Sequence, residues 1–233
     1  MGTRQTPLLG LCPIGKFVFS HEDAMRQKRA IQQKLDAWNV EYCDLDSVIP
    51  DGMVRDQKHV DPVVEHFKAE KIGALFVPHC NFGTEAAVGM IAKKLGVPVL
   101  LWGPRDESPL QDGSRYRDSL CGMFASSKVL TKLHVPFTYI ENCRLEDETF
   151  ESGFFTFLRA SRVVHALGNL KIAQIGVRVD FFWTTIDNES ELLEKFGVEV
   201  LPVDMADFIH NVLNRAEKNE KGYLTELRQM ESW

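Results

Sequence analysis

Residues 72–102, IGALFVPHCNFGTEAAVGMIAKKLGVPVLLW, read as a strand, a helix and a second strand in succession. Residues 72–77 and 97–102 are short apolar runs, as in parallel strands that are buried on both faces. Between them, apolar side chains recur at the i, i+3, i+4, i+7 spacing of a buried helical stripe. Parallel neighbours need such a crossover helix, so this segment predicts one unit of a parallel α/β sheet. The stripe consists of Val88, Ile91, Ala92 and Leu95.

The same alternation continues outward in both directions. It predicts a doubly wound, Rossmann-like α/β domain over residues 1–168. Further strands are predicted at 7–14, 39–45 and 136–141, and helices at 21–38, 59–70 and 147–168. The helix after residue 117 is expected to bury Leu120, Met123, Phe124 and Leu130. The helix at 147–168 is expected to bury Phe150, Phe154, Phe157, Leu158 and Ser161.

Residues 169–233 restart the pattern and are predicted to begin a second α/β domain. The predicted elements are strands at 171–177 and 198–203, a helix at 188–196, a helix with an apolar stripe, and a polar turn and helix at 217–233. The stripe consists of Met205, Phe208, Ile209, Val212 and Leu213. Two strands are fewer than an open sheet usually has, so this part of a second domain is expected to be incomplete. The predicted boundary lies at 165–170, around Gly168 and Asn169.

Composition excludes several function classes. The 233-residue chain has a net charge of −6, which disfavours a broad surface for nucleic acid or anionic membranes. No run of 18 apolar residues predicts a membrane span. The first residues, MGTRQTPLLGLCPIGK, lack the features of a signal peptide. Five widely spaced cysteines, with no CxxC pair, are typical of reduced thiols, so a cytoplasmic location is expected.

Missing motifs narrow the chemistry further. No G-x-G-x-x-G follows a strand and no P-loop sequence is present, so nothing indicates a dinucleotide or a nucleoside triphosphate. No G-x-S-x-G elbow occurs. The histidines are scattered and lack metal-ligand spacing, so no metal site held wholly by this chain is expected.

Ligands of open parallel sheets bind beyond the carboxyl ends of the strands, which directs attention to three loops. In the first loop, residues 13–23, Lys16 could hold a carbonyl or hydroxyl group and Phe17 could stack on a ligand. In the alternative interpretation, the rings of Phe17 and Phe19 pack under the sheet edge and Ser20 caps the following helix.

The second loop, residues 77–85, ranks highest as a binding site. His79, Cys80 and Asn81 directly follow a buried strand, and Thr84 precedes a helix whose backbone N–H groups could hold an anion or a hydroxyl. Such a set suits a polyol. The alternative is an ordinary turn, with a satisfied histidine and with Thr84 as a capping residue.

The third loop runs from residue 103 to about 117 and contains Arg105, a further candidate for substrate binding. Loops of this length in compact domains are often functional. Alternatively, Arg105 pairs with Asp106 and braces the loop. In the second domain, residues 175–189 form a loop crowded with aromatic groups, which indicates a subdomain contact or a subunit interface, with sugar stacking as the alternative. The loop carries Arg178, Phe182, Trp183 and Asn188.

Three segments follow one another along the chain: FVPHCNFGTEAAVGMIAKKLGVPVLLWGPRDE, RYRDSLCGMFASSKVLTKLHVPFTYIE and IGVRVDFFWTTIDNESELLEKFGVEVLPVDM. In this order they resemble the first domain and the start of the second domain of the L-fucose/L-arabinose isomerase family. The resemblance implies a three-domain, cytoplasmic, homo-oligomeric aldose–ketose isomerase that acts on a small sugar, a pentose or a deoxyhexose. It also implies a divalent cation, usually manganese, whose carboxylate and histidine ligands lie in later parts of the chain. That cation polarises two adjacent sugar oxygens while carboxylates move a proton.

By the same resemblance, the loops after the first and third strands reach toward the sugar of a neighbouring subunit. Those loops carry Lys16 and Phe17, and His79, Cys80 and Asn81. The sequence departs from the family at three positions. Cys12 stands where fucose isomerases commonly have arginine, and His79 where they tend to have tryptophan. In the second domain, the family has an arginine followed by proline, whereas Arg178 of this chain is followed by Val179. These departures predict a sugar other than fucose.

Three hypotheses follow. The first is the N-terminal portion of a metal-dependent aldose–ketose isomerase, inactive alone, which contributes subunit assembly and substrate-covering loops. The second is a cytoplasmic sugar-binding or regulatory module without catalysis, because two α/β lobes that meet at a cleft also suit ligand sensing. The third is a truncated or decayed protein that is kept only as an oligomerisation partner.

Overall fold

A computed structural model describes residues 7–168 and 170–230. The chain divides into two compact units, Met1–His165 and Ala166–Trp233. The predicted domain boundary included Asn169, which lies outside the described residues. None of the helices in the described part of the chain combines the length and the apolar character that a membrane span requires.

The first unit contains a five-stranded sheet in which every neighbouring pair is parallel. Its strands are β1 (Leu9–Leu11), β2 (Tyr42–Cys43), β3 (Ala74–Pro78), β4 (Val99–Trp102) and β5 (Thr138–Tyr139). The order across the sheet is β2-β1-β3-β4-β5. The chain therefore winds outward in both directions from a switch point between β1 and β3, where doubly wound sheets form their ligand crevice.

Helices cover both faces of this sheet, as predicted. They are α1 (His21–Ala37), α2 (Val60–Ala69), α3 (Glu85–Leu95), α4 (Ser119–Lys132) and α5 (Glu148–Leu167). Successive residues of β3 point to opposite faces, since Leu75 belongs to a core with α2, α3 and α4, and Phe76 to a core with α1 and α5. The predicted apolar stripes of α3 and α5 are buried, apart from Leu95 at the end of α3, which is partly buried.

The predicted buried face of α4 is half wrong. Met123 and Leu130 are buried, but Leu120 is 40% exposed and Phe124 is 67% exposed. The reason is a close approach at Gly122, where a Cβ atom would stand 2.0 Å from the carbonyl oxygen of Phe82. Small residues therefore share the buried face of α4 with Met123 and Leu130, and Leu120 and Phe124 turn outward. The small buried residues are Ser119, Gly122 and Ser126.

The second unit contains a parallel pair of strands, β6 (Lys171–Ile175) and β7 (Glu199–Val203), and the helices α6 (Glu189–Phe196) and α7 (Met205–Met230). The turn predicted at 217–233 is wrong, because α7 is continuous through residue 230. Glutamate and lysine are good helix formers, so a polar run with one glycine continues the helix. Within this unit, the apolar stripe of α7 is 40–58% exposed.

Candidate functional site

The loops after β1 and β3 meet at the switch point. Ile14 forms parallel bridges to both His79 and Val54, and its carbonyl oxygen accepts a hydrogen bond of 2.9 Å from the backbone N–H of Cys80. Residues 12–20, 49–56 and 79–84 are called the switch-point loops below. Sequence reasoning placed the first and third of these loops at the ligand-binding edge, and the strand order brings them together there.

Asn81 ties the first and third of these loops together. Its side-chain oxygen accepts a hydrogen bond of 2.8 Å from the backbone N–H of Lys16. Its side-chain nitrogen donates to the carbonyl oxygens of Lys16 at 3.2 Å and Ser20 at 3.3 Å. Asn81 is fully buried, so these bonds satisfy a polar group that would be costly to leave unpaired. The amide thus positions the backbone of the first loop.

His79 links the third loop to α4. Its Nδ1 lies 3.2 Å from the carbonyl oxygen of Val77, which can only accept, so Nδ1 carries the proton. Its Nε2 then accepts from the hydroxyl of Ser126 at 2.7 Å. Burial lowers the pKa of His79 from 6.5 to about 4, so the ring stays neutral near pH 7. A Cβ on Gly83, whose φ is +150°, would meet the same ring at 2.7 Å.

The two cysteines of these loops are buried thiols. Burial raises the pKa of Cys80 to about 12. It also raises the pKa of Cys12, to which the nearby Cys80 adds. Neither sulfur is therefore a thiolate near pH 7, and both side chains act as small apolar groups.

Thr84 does not cap α3 through its side chain, contrary to the alternative interpretation. Its hydroxyl instead donates to the carbonyl oxygen of Gly15 at 3.0 Å, which adds a further link between the first and third loops. Ser20 does cap α1, as the alternative interpretation of the first loop predicted, since its Oγ accepts from the backbone N–H of Asp23 at 3.1 Å.

Among the sequence-predicted residues of these loops, Phe17 is exposed and Lys16 is half-buried. Phe17 is 76% exposed, so its ring does not pack under the sheet edge. The Lys16 Nζ lies 4.5 Å from the ring centre of Phe82 and 3.5 Å from a carboxylate oxygen of Glu85. Phe19 stacks on Phe82 with ring centres 5.4 Å apart. The ring of Phe17 is thus open to a ligand, and the half-exposed Lys16 ammonium could meet one while it also contacts Glu85 and Phe82.

Arg55 is a residue that sequence reasoning missed. It lies 12 positions beyond the end of β2, but the pairing of Val54 with Ile14 brings it to the switch point. Its guanidinium stands 5.6 Å from the ring centre of Phe17. It also contacts Asp51 at 3.1 Å and the Nδ1 of His21 at 2.9 Å. No strand directly precedes Arg55, so the strand-end rule carried no signal for it.

Arg105, in the third predicted loop, is exposed after β4, and Asp106 does not pair with it. Asp106 instead accepts backbone hydrogen bonds at the start of α4, from Ser119 at 2.8 Å and Leu120 at 3.1 Å. A carboxylate at this end of a helix also complements the helix dipole.

In the second unit, the predicted loop residues serve local roles. The Arg178 guanidinium donates to the carbonyl oxygens of Val179 and Asp180, both at 3.0 Å. Asn188 caps α6 by accepting from the backbone N–H of Glu191 at 3.2 Å. Phe182 and Trp183 are exposed.

The first unit is thus a doubly wound α/β domain with interlocked polar loops at its switch point. Residues 10–168 of the chain, which include all the strands and helices of this unit from Gly10 onward, match the family model of the fucose/sulfoquinovose isomerase N-terminal domain. The chain belongs to this family, and the resemblance noted in the sequence is confirmed.

Relatives carry the name sulfoquinovose isomerase. One, from Clostridium sp. (strain MSTE9), is 29% identical over 62% of this chain and 32% of its own length. Others, from Priestia aryabhattai and Priestia megaterium (strain ATCC 12872 / QMB1551), are each 25% identical over 84% of this chain and 42% of their own length. The chain thus spans 32–42% of the length of these curated relatives.

A solved periplasmic solute binding protein of an ABC transporter, from Actinobacillus succinogenes 130z with bound D-allose, is 14% identical. It aligns over 85% of this chain and 59% of that chain with a TM-score of 0.29, which is too low to support an argument.

Proposed function

We propose that this chain is the N-terminal portion of a longer aldose–ketose isomerase and that its switch-point loops contact the sugar. The observation that carries the proposal is the family match over residues 10–168. Because this match covers the loops after β1 and β3, their exposed groups are the natural candidates for sugar contact.

Lys16 and Phe17 have complementary roles in this proposal. The exposed ring of Phe17 offers an apolar face to the C–H groups of a sugar, and the Lys16 ammonium donates hydrogen bonds to its hydroxyl groups. A few placed polar groups among apolar ones are typical of small-molecule sites. His79 and Asn81 act as positioning residues, because their polar atoms bind other parts of the chain.

The divalent cation implied by the family, usually manganese, does not fit the described residues. No three side chains of His, Cys, Asp or Glu come together within residues 7–168 and 170–230 in a way that could hold a metal ion. We therefore assign the cation and the proton transfer to parts of the longer protein. Homo-oligomeric assembly and a cytoplasmic location stay predictions.

The substrate is a small sugar in this proposal. The family resemblance favours a pentose or a deoxyhexose, and the names of the relatives add sulfoquinovose, a sulfonated deoxyhexose. Each of the three is a test ligand for the purified 233-residue chain. The Clostridium sulfoquinovose isomerase serves as a positive control for turnover.

Saturation-transfer NMR and calorimetry test whether this chain binds the sugar while the catalytic groups lie in other parts of the longer protein. We expect weak, saturable binding of the uncharged pentose or deoxyhexose that is lost in Phe17→Ala and kept in Phe124→Ala, the matched control at an exposed phenylalanine of α4. We expect no ketose from the 233-residue chain with manganese present. Absence of sugar binding, or equal loss in both variants, would refute the contact by Phe17. Turnover by this chain would refute the assignment of chemistry elsewhere, and tight binding without metal would favour the sugar-binding or regulatory module.

A further inference from the structure

A cavity of about 740 Å³ lies between the loops that follow β4 and β5 and helix α1. Four arginines line it: Arg26, Arg105, Arg117 and Arg144. Like the switch-point loops, it lies at the carboxyl edge of the sheet, where ligands of parallel sheets bind. Its volume is in the range of small-molecule sites.

The register of the sheet places two of these arginines side by side. A parallel bridge pairs Pro104 with Cys143, and the backbone N–H of Arg105 donates to the carbonyl oxygen of Cys143 at 2.9 Å. Arg105 and Arg144 are therefore the next residues along two adjacent chain segments. Like charges at neighbouring strand positions repel each other. Neither guanidinium has a hydrogen-bonded or ion-paired partner in the described part of the chain.

Arg117 forms a fixed wall of the same cavity. Its side chain is 4% exposed and contacts Asp23 at 2.6 Å and Glu107 at 2.9 Å. It also donates to the carbonyl oxygen of Arg105 at 3.2 Å. These bonds fix the backbone of the segment that carries Arg105. The side chain of Arg105 therefore extends from a fixed position.

The carboxylates of the lining are mostly occupied. Asp106 accepts from the start of α4, and Glu107 pairs with Arg117. Glu146 is the lining carboxylate that has no partner among the described residues. Asp106 is held by backbone N–H and hydroxyl groups and not by a cation, so the lining groups without an ion-pair partner among the described residues are two cations and two anions, Arg105, Arg144, Asp106 and Glu146.

We propose that this arginine cavity binds a small molecule that carries a tetrahedral oxyanion, either a sulfonate or a phosphate monoester. The planar fork of arginine matches the geometry of such anions, and a charge-assisted hydrogen bond is stronger than a neutral one. A bound oxyanion would also neutralise the repulsion between Arg105 and Arg144. The proposal goes beyond isomerisation and does not depend on it.

Calorimetric titration of the 233-residue chain tests the site, with inorganic phosphate, glucose 6-phosphate, sulfoquinovose and glucose as separate probes in 150 mM salt, roughly the physiological ionic strength. We expect saturable 1:1 binding of at least one anionic probe and none of glucose. The double variant Arg105→Gln/Arg144→Gln should weaken that binding by at least about tenfold, as loss of charge-assisted bonds implies. Preference for sulfoquinovose or glucose 6-phosphate identifies which anion the site takes.

Arg162→Gln, at an exposed arginine of α5 outside this cavity, is the matched control and should bind like the unchanged chain. The anion that binds should raise the melting temperature of the unchanged chain and leave that of the double variant unmoved. Absence of saturable anion binding would overturn the proposal, as would equal weakening in Arg162→Gln or equal binding of glucose. Because the readout needs no turnover, an inactive isomerase would leave this result untouched.

Discussion

Two pairs of loops leave the same edge of one sheet and treat their polar side chains in opposite ways. After β1 and β3, the polar atoms of Asn81 and His79 are buried and bound within the chain. After β4 and β5, Arg105 and Arg144 are exposed and lie on adjacent segments. Position at a strand end therefore identifies loops that can bind ligands, but burial and pairing decide which of their side chains are free to do so.

The largest expected effect comes from Gly122→Val, which tests how closely α4 is packed on the third switch-point loop. A Cβ there would stand 2.0 Å from the backbone oxygen of Phe82, and backbone cannot move aside cheaply. We expect a loss of more than about 3 kcal/mol in the free energy of unfolding, at the upper end of overpacking costs.

Urea titration followed by circular dichroism measures this loss. Cys121→Ala, at the exposed neighbouring position, is the control and should change the free energy of unfolding by less than about 0.5 kcal/mol. An unchanged midpoint in Gly122→Val would mean that α4 and this loop are not in close contact.

The pH dependence of stability tests the burial of His79. Its folded pKa of about 4 lies below the unfolded value of 6.5, so above pH 6.5 the ring is neutral in both states. As the pH falls from 6.5 toward 4, the unfolded chain takes up a proton that the folded chain does not. The free energy of unfolding should therefore fall over this window, by up to roughly 3 kcal/mol.

Comparison of urea midpoints at pH 7 and pH 4.5 measures this contribution. His79→Gln should lose that part of the pH dependence, while His210→Gln, at an exposed histidine of α7, should keep it. Identical pH profiles for the unchanged chain and His79→Gln would contradict the buried, neutral ring.

Asn81→Ala is expected to have the next largest effect, about 2 kcal/mol, since it leaves several buried backbone groups without partners. Hydrogen exchange should show faster exchange at the amide of Lys16, whose acceptor is lost. Asn142→Ala is a comparison at another amide side chain, which donates to the carbonyl oxygens of Gly103 and Pro104. It should leave exchange at Lys16 unchanged. Protection at Lys16 that persists in Asn81→Ala would show that this amide does not hold the loop.

Much of this architecture could be predicted from the sequence because apolar periodicity reports burial directly. The stripe of α5, from Phe150 to Ser161, is buried as predicted. Periodicity failed for α4, where Gly122 and Ser126 form the contact face and Phe124 turns outward. Small residues give no apolar signal, so a close helix approach is invisible to that pattern.

The candidate site was predictable only in part for a similar reason. The strand-end rule located Lys16 and Phe17, but it could not distinguish exposed side chains from the buried His79 and Asn81. Their burial depends on the partners Ser126 and Lys16, which lie 47 and 65 positions away. Arg55 escaped notice because its position depends on the pairing of Val54 with Ile14, which no local pattern encodes.

The smallest expected effect is a gain in the free energy of unfolding, whereas the substitutions above are expected to lower it. Arg105→Gln removes one of two neighbouring cations that have no counterion among the described residues, so it should raise the free energy of unfolding by a few tenths of a kcal/mol in the absence of oxyanions. Added salt screens such repulsion, so the gain should shrink between 0.01 M and 1 M ionic strength, as the screening length falls from about 30 Å to about 3 Å. Parallel urea titrations at both ionic strengths measure it, with Arg162→Gln as the control that should gain nothing. A loss of stability in Arg105→Gln would mean that this arginine is paired within the chain, and the contrast between the two loop pairs would disappear.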